Sequence, residues 1–121
     1  MAVFEQGNIR ETFRCSNQCL EGLPAICSRY PIRKGILSSV ITVSGTIRKQ
    51  LAELPFPVLE FTWQTPVPIR NLYDTPQTLG MDRLAAVVAV YTEKPNCPAL
   101  VIDAGTCITY DFIDEHGQYL G

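Results

Sequence analysis

No stretch of this 121-residue chain is apolar over the roughly 20 residues that a membrane-spanning helix needs. Basic residues never cluster beyond the pair Arg33-Lys34, and the net charge is −2. The electrostatic footprint of a nucleic-acid-binding surface is therefore missing. The single histidine, His116, lies far along the chain from Cys15 and Cys19. None of the cysteines Cys15, Cys19, Cys27, Cys97 and Cys107 forms a CxxC pair. Those spacings exclude the common zinc clusters, and an odd cysteine count argues for reduced thiols rather than a disulfide framework. The opening residues, Met1-Ala2-Val3-Phe4-Glu5, lack the basic region and apolar core of a secretory signal peptide. The expectation is a cytoplasmic protein with neither membrane nor nucleic acid as partner. Internal repeats and low-complexity tracts are also lacking.

What is present is enough for a packed core: 46% hydrophobic residues against 18% charged. Val3–Glu5 and Ile9–Arg14 read as short strands joined by a tight turn at Gly7-Asn8. From Asn17 to about Tyr30, Leu20, Leu23, Ile26 and Cys27 fall at helical spacing, with Ser16 or Asn17 as cap and Pro24 as a blemish. Gly35–Ile41 reads as a short buried strand. Ser44 caps a helix running to Leu54 and ended by Pro55, and Val58–Thr62 returns as a strand. Thr65-Pro66-Val67-Pro68-Ile69 is too rich in proline to be regular, and the loop continues through Pro76. A helix capped by Thr78 and running to Tyr91 is apolar nearly all round, which predicts burial on every side. Ala99–Ile102 and Ile108–Ile113 are strands, and Asp114–Gly117 is a turn before a last strand at Gln118–Leu120. The pattern is α/β.

Two motifs carry chemistry. Gly80-Met81-Asp82-Arg83 opens the apolar helix. Adjacent charges there are compatible with a plain helix N-terminus, where Asp82 meets the positive dipole end. They also suit a carboxylate that takes a proton from a substrate hydroxyl and a guanidinium that grips a substrate carboxylate. The second motif, Asp103-Ala104-Gly105-Thr106-Cys107, closes one apolar strand and opens another. A glycine there lets backbone approach a phosphate, turn amides and the Thr106 hydroxyl can donate to its oxygens, and Asp103 can hold a cation or its waters. Thr109 and Asp111 follow at short spacing and add weight to that reading. Tyr73 in the preceding loop, Trp63 and His116 read on their own as packing or solvated turn residues.

The runs Pro68-Ile69-Arg70-Asn71-Leu72-Tyr73, Leu79-Gly80-Met81-Asp82-Arg83, Val101–Asp111 and Gly117-Gln118-Tyr119-Leu120-Gly121 resemble the type III pantothenate kinases. That family lies in the superfamily of acetate and sugar kinases, heat-shock chaperones and actin. The resemblance is strongest from about Pro66 to Gly121. It implies phosphorylation of pantothenate by ATP at the primary hydroxyl, the first step towards coenzyme A, in a homodimer. By position, Asp82 would be the proton acceptor, and Tyr73, Gly80, Met81, Asp82 and Arg83 would contact pantothenate. Gly105 and Thr106 would bind ATP, Asp103 would bind a monovalent cation (potassium or ammonium), and Mg2+ would accompany the nucleotide.

The implied fold is a ribonuclease H-like, actin-like ATPase half-domain over residues 1–98 that lacks its first strand, with residues 99–121 opening a second half-domain. The family's opening Asp-x-Gly-Asn-Thr phosphate loop has no counterpart here, and Cys107 stands where the family more often has alanine. The expectation is a chain truncated at both ends and inactive by itself. A non-catalytic regulatory protein of the Bvg accessory factor kind, another small-molecule kinase of the superfamily and a dimerising pseudo-enzyme are the alternatives.

Overall fold

The computed structural model describes residues 1–14 and 20–121. The chain divides into two compact units, one of residues Met1–Ile36 and Thr42–Leu59, the other of Leu37–Ile41 and Glu60–Gly121. The fold is mixed α/β, with the strands distributed over three small sheets. No helix among the described residues is long and apolar enough to cross a membrane.

In the first unit, β1 (Ala2–Glu5) and β2 (Asn8–Thr12) pair antiparallel. The turn between them is Gln6-Gly7, one residue earlier than expected. Both residues have positive φ, 50° and 80°, which is the geometry that joins twisted strands through two residues. Helix α1 (Leu23–Arg29) starts later than the periodicity predicts, behind Gly22 and with Pro24 in its first turn. Pro24 is therefore favourably placed, since a first-turn N–H has no intrahelical partner to lose. The expected caps Ser16 and Asn17, and Cys15 and Cys19, lie outside the described residues. The end of α1 is tied back to β2: Arg29 Nη1 and Tyr30 Oη donate to Glu11 at 2.8 and 2.6 Å.

Strand β3 (Gly35–Ser38) pairs with β4 (Val58–Phe61) in a second two-stranded sheet. β3 stops short of Ile41 because the Ser39 hydroxyl bonds both the N–H and the carbonyl of Ile41, turning the chain. Ile36, Val40 and Ile41 are exposed, so the expected buried strand is only half covered. Helix α2 (Gly45–Ala52) begins where the sequence places it, with Ser44 Oγ accepting from Ile47 N at 3.3 Å.

The second unit holds the larger core: Phe61, Ile69, Leu79, Met81, Leu84, Val87, Ile113 and Tyr119. Its sheet runs β5–β8–β7–β6, with β5 (Arg70–Asn71) parallel to β8 (Gln118–Tyr119). β7 (Ile108–Ile113) is antiparallel to both β8 and β6 (Ala99–Ala104). The short strand β5 inside the proline-rich loop is invisible to periodicity because it offers only two residues. Pro76–Thr78 forms one 3-10 turn before α3 (Met81–Glu93).

Two expectations fail here. Thr78 is not the cap of α3; its hydroxyl bonds Thr75, and Gly80 occupies the capping position without a side-chain bond. Nor is α3 buried all round: Met81, Leu84 and Val87 face the core while Ala85 and Ala89 are exposed. Alanine is neutral towards water and favours helix, so an all-apolar composition hid a one-sided helix. β6 behaves likewise. Ala99 and Val101 pack on the core, whereas Leu100 and Ile102 on its other face are exposed. In β7, paired residue for residue with β6, Asp111 and Ile113 turn inward and Ile108, Tyr110 and Phe112 outward.

Candidate active site

The residues of the second unit bring one charged group into the core. Asp111 is 1% exposed and Tyr119 is 0% exposed. Asp111 points inward because strand alternation places it between the inward-facing Thr109 and Ile113. A buried carboxylate is tolerable only if it is paired and hydrogen-bonded, and here it has three donors. Arg83 approaches side-on, with Nη2 2.6 Å from Oδ1 and Nε 3.1 Å from both carboxylate oxygens. The Tyr119 hydroxyl donates to Oδ1 at 2.5 Å. The remaining terminal nitrogen of Arg83, Nη1, donates to the Tyr73 hydroxyl at 3.4 Å.

Tyr73 completes the group from the loop after β5. Its backbone N–H donates to Asn71 Oδ1 at 3.0 Å, which sets the turn. Its ring stacks on Tyr119 with centroids 6.2 Å apart, and the Arg83 guanidinium carbon lies 5.3 Å from the Tyr73 centroid, within cation–π range. Gly121, with φ of 102°, lets the ring sit close; a Cβ there would lie 2.7 Å from Tyr73 Cδ2.

The electrostatics follow from this geometry. The hydrogen bond to Asp111 pushes the Arg83 guanidinium further above its ordinary range, with burial acting in the opposite direction. Burial, and then the hydrogen bond to Asp111, raise the Tyr119 phenol well above the usual tyrosine range. The Arg83–Asp111 pair cancels in net charge, so the cluster presents an ordered set of donors rather than a strong positive field.

Asp82 lies one residue before Arg83 in the first turn of α3, exposed, with Oδ1 accepting from Arg83 N at 2.9 Å. It satisfies an amide that has no intrahelical partner. Met81 is buried in the core beneath it. Asp103, Gly105 and Thr106 are all exposed at the end of β6 and in the turn to β7, where Gly105 N bonds Cys107 O at 3.1 Å. Opposite Asp103, Thr109 has its hydroxyl oxygen buried with no hydrogen-bond partner among the described residues.

The structure thus joins Tyr73, Asp82 and Arg83 through direct contacts, and places Asp103, Gly105 and Thr106 together on a separate exposed turn. Sequence reasoning used Asp111 only as added weight for the phosphate-turn reading, and gave Tyr119, inside the Gly117–Gly121 run, no role of its own. A carboxylate at an inward position of an apolar strand was the available signal for the first; nothing marked the second.

The family model described as type III pantothenate kinase matches residues 2–121. The chain belongs to the type III pantothenate kinase family. Curated type III pantothenate kinases align over its whole length. That of Phocaeicola vulgatus is 60% identical over 121 residues, all of this chain and 50% of the relative. That of Bacteroides fragilis is 49% identical over 121 residues with the same coverage. That of Flavobacterium johnsoniae is 39% identical over 124 residues, 99% of this chain and 50% of the relative. The chain spans about half the length of the type III pantothenate kinases it matches.

Proposed function

We propose that the protein, at the full length of its relatives, transfers the terminal phosphoryl group of ATP to the primary hydroxyl of pantothenate. Membership of the type III pantothenate kinase family is the observation that carries this reading. The residue geometry supports it. Phosphoryl transfer depends on positioning and charge neutralisation more than on covalent help. Asp82 offers an exposed carboxylate at the start of a helix to accept the hydroxyl proton. Arg83, Tyr73 and Gly80 are assigned to the pantothenate side, with Arg83 offering donors to the pantothenate carboxylate, whereas the Met81 side chain, expected there from the resemblance, packs into the core instead.

Gly105 and Thr106 supply an exposed turn for ATP phosphates, and Asp103 a carboxylate beside them for a monovalent cation. Mg2+ would accompany the nucleotide phosphates. There it would neutralise charge. We further infer an actin-like ATPase architecture, with residues 1–98 in a first half-domain and 99–121 opening a second, and a cytoplasmic homodimer. The 121 residues alone are expected to show no turnover, since the relatives carry as much chain again.

The test is a coupled assay on the full-length protein. ADP formation that depends on pantothenate is expected, and a fall of about 100-fold or more in Asp82→Asn is expected for a lost general base. ATP turnover indifferent to pantothenate would overturn the assignment.

A further inference from the structure

We propose that Asp111 and Tyr119 are positioning residues for substrate capture: together they fix which donors of Arg83 face the substrate carboxylate. The inference rests on the pantothenate kinase reading for the identity of that carboxylate, and on the geometry for everything else.

A guanidinium has five N–H donors in a rigid plane and can receive a carboxylate along more than one edge. In this protein the choice is already made. Asp111 occupies the side-on edge, taking Nε–H and one Nη2–H. Tyr73 takes one Nη1–H. One Nη1–H and one Nη2–H remain, on a side chain that keeps 22% of its surface exposed. A substrate carboxylate can therefore meet Arg83 only through those terminal hydrogens. The Tyr73 hydroxyl accepts from Arg83 and keeps its own proton to donate beside them.

Asp111 is itself held. Tyr119 donates to Oδ1, the oxygen that also takes the shortest Arg83 bond. Tyr119 is locked from behind by complete burial and by its stack on Tyr73. The chain of contacts runs from the core to the exposed donors: Tyr119 fixes Asp111, Asp111 fixes Arg83, and Arg83 lies over Tyr73. Neither Asp111 nor Tyr119 reaches solvent, so neither touches substrate, and both act through Arg83.

The test uses the full-length protein with Asp111→Asn and the milder Tyr119→Phe. Pantothenate is compared with pantothenol, in which an alcohol replaces the carboxylate. Asp111→Asn is expected to raise KM for pantothenate about 10-fold to 100-fold, the factor set by one misplaced charge-assisted hydrogen bond. KM for ATP should stay within about twofold, and the preference for pantothenate over pantothenol should fall by a similar factor to the KM change. Tyr119→Phe should move the same parameters in the same direction by a smaller factor, and it decides the matter if Asp111→Asn does not fold.

An equal loss for both substrates, or a loss confined to kcat, overturns the proposal. Rotation about the Arg83 Nε–Cζ bond, followed by NMR, judges the holding step without any turnover. It should be faster in both variants, and an unchanged rate overturns the proposal. Wild-type protein that turns over ATP without regard to pantothenate fails the kinase reading, while the NMR result still stands or falls by itself.

Discussion

Gly80 and Asp82 share one small volume at the start of α3. A Cβ on Gly80 would stand inside contact distance of the Asp82 carboxylate oxygen that accepts from Arg83 N. The missing side chain at 80 is therefore what lets Asp82 take its place. If Asp82 is the proton acceptor proposed above, Gly80→Ala in the full-length protein should expel that carboxylate and lower pantothenate-dependent kcat by about 10-fold to 100-fold, the scale of a misplaced catalytic group. The thermal midpoint should move little, because the clashing atoms are the end of an exposed side chain.

Gly117 makes a second demand for glycine. Its φ is 75°, and an added Cβ would lie 2.9 Å from the Tyr91 ring. Gly117→Ala should destabilise the protein by about 1–3 kcal/mol from backbone strain and overlap combined. Urea unfolding with an unchanged slope and a lowered midpoint is the expected result.

Leu84 is 1% exposed and sits in the second unit's core. Leu84→Ala should cost about 2–5 kcal/mol through lost transfer energy and the cavity left behind. Ala85→Ser, on the exposed side of the same helix, should stay within about 0.5 kcal/mol. Equal losses at both positions, again by urea unfolding, would contradict the one-sided burial of α3.

Alkaline pH should act through Tyr119. Its folded pKa is raised, chiefly by burial, so the unfolded chain releases the phenolic proton first. The stabilisation is fully present below the ordinary tyrosine value near 10 and is lost as pH rises through the folded pKa. Chemical denaturation between about pH 9 and 12 should show stability falling with pH. Tyr119→Phe should flatten that limb.

If Asp103 holds a monovalent cation, Asp103→Asn should remove most of the activation of the full-length enzyme by potassium. On the same proposal, which assigns the residue to the nucleotide side, the KM for pantothenate should change by less than about twofold. Potassium activation equal to that of the wild type would reject the assignment.

Much of this arrangement was legible in the sequence. Ser44 announced α2, the Asp103–Cys107 turn announced the β6–β7 hairpin, and Gly80–Arg83 marked the start of α3. The failures have physical causes. Ala85 and Ala89 looked like core residues because alanine carries no sign of which way it faces. Leu100 and Ile102 looked buried because an apolar strand does not reveal that one face is uncovered. The pairing of β5 with β8 depends on partners far apart in sequence, which local patterning cannot supply. The sequence offers Arg83 either as a grip on substrate or as a helix-start residue that pairs locally; its partner Asp111 becomes visible only when alternation along β7 is set against the position of α3.

The parallel pairing of β5 with β8 has a kinetic consequence. Arg70 N and Leu72 N donate to the carbonyls of Gly117 and Tyr119 at 2.8 Å each. Tyr73, Asp82, Arg83, Asp103, Thr106 and Asp111 all lie on the stretch of chain between those two strands. Joining its ends costs loop-closure entropy that the local hairpin and helix do not incur. The clasp should therefore close late, after β6–β7 and α3 have formed. The two amides at Arg70 and Leu72 become natural reporters: their hydrogen-exchange protection marks the moment at which the site is assembled.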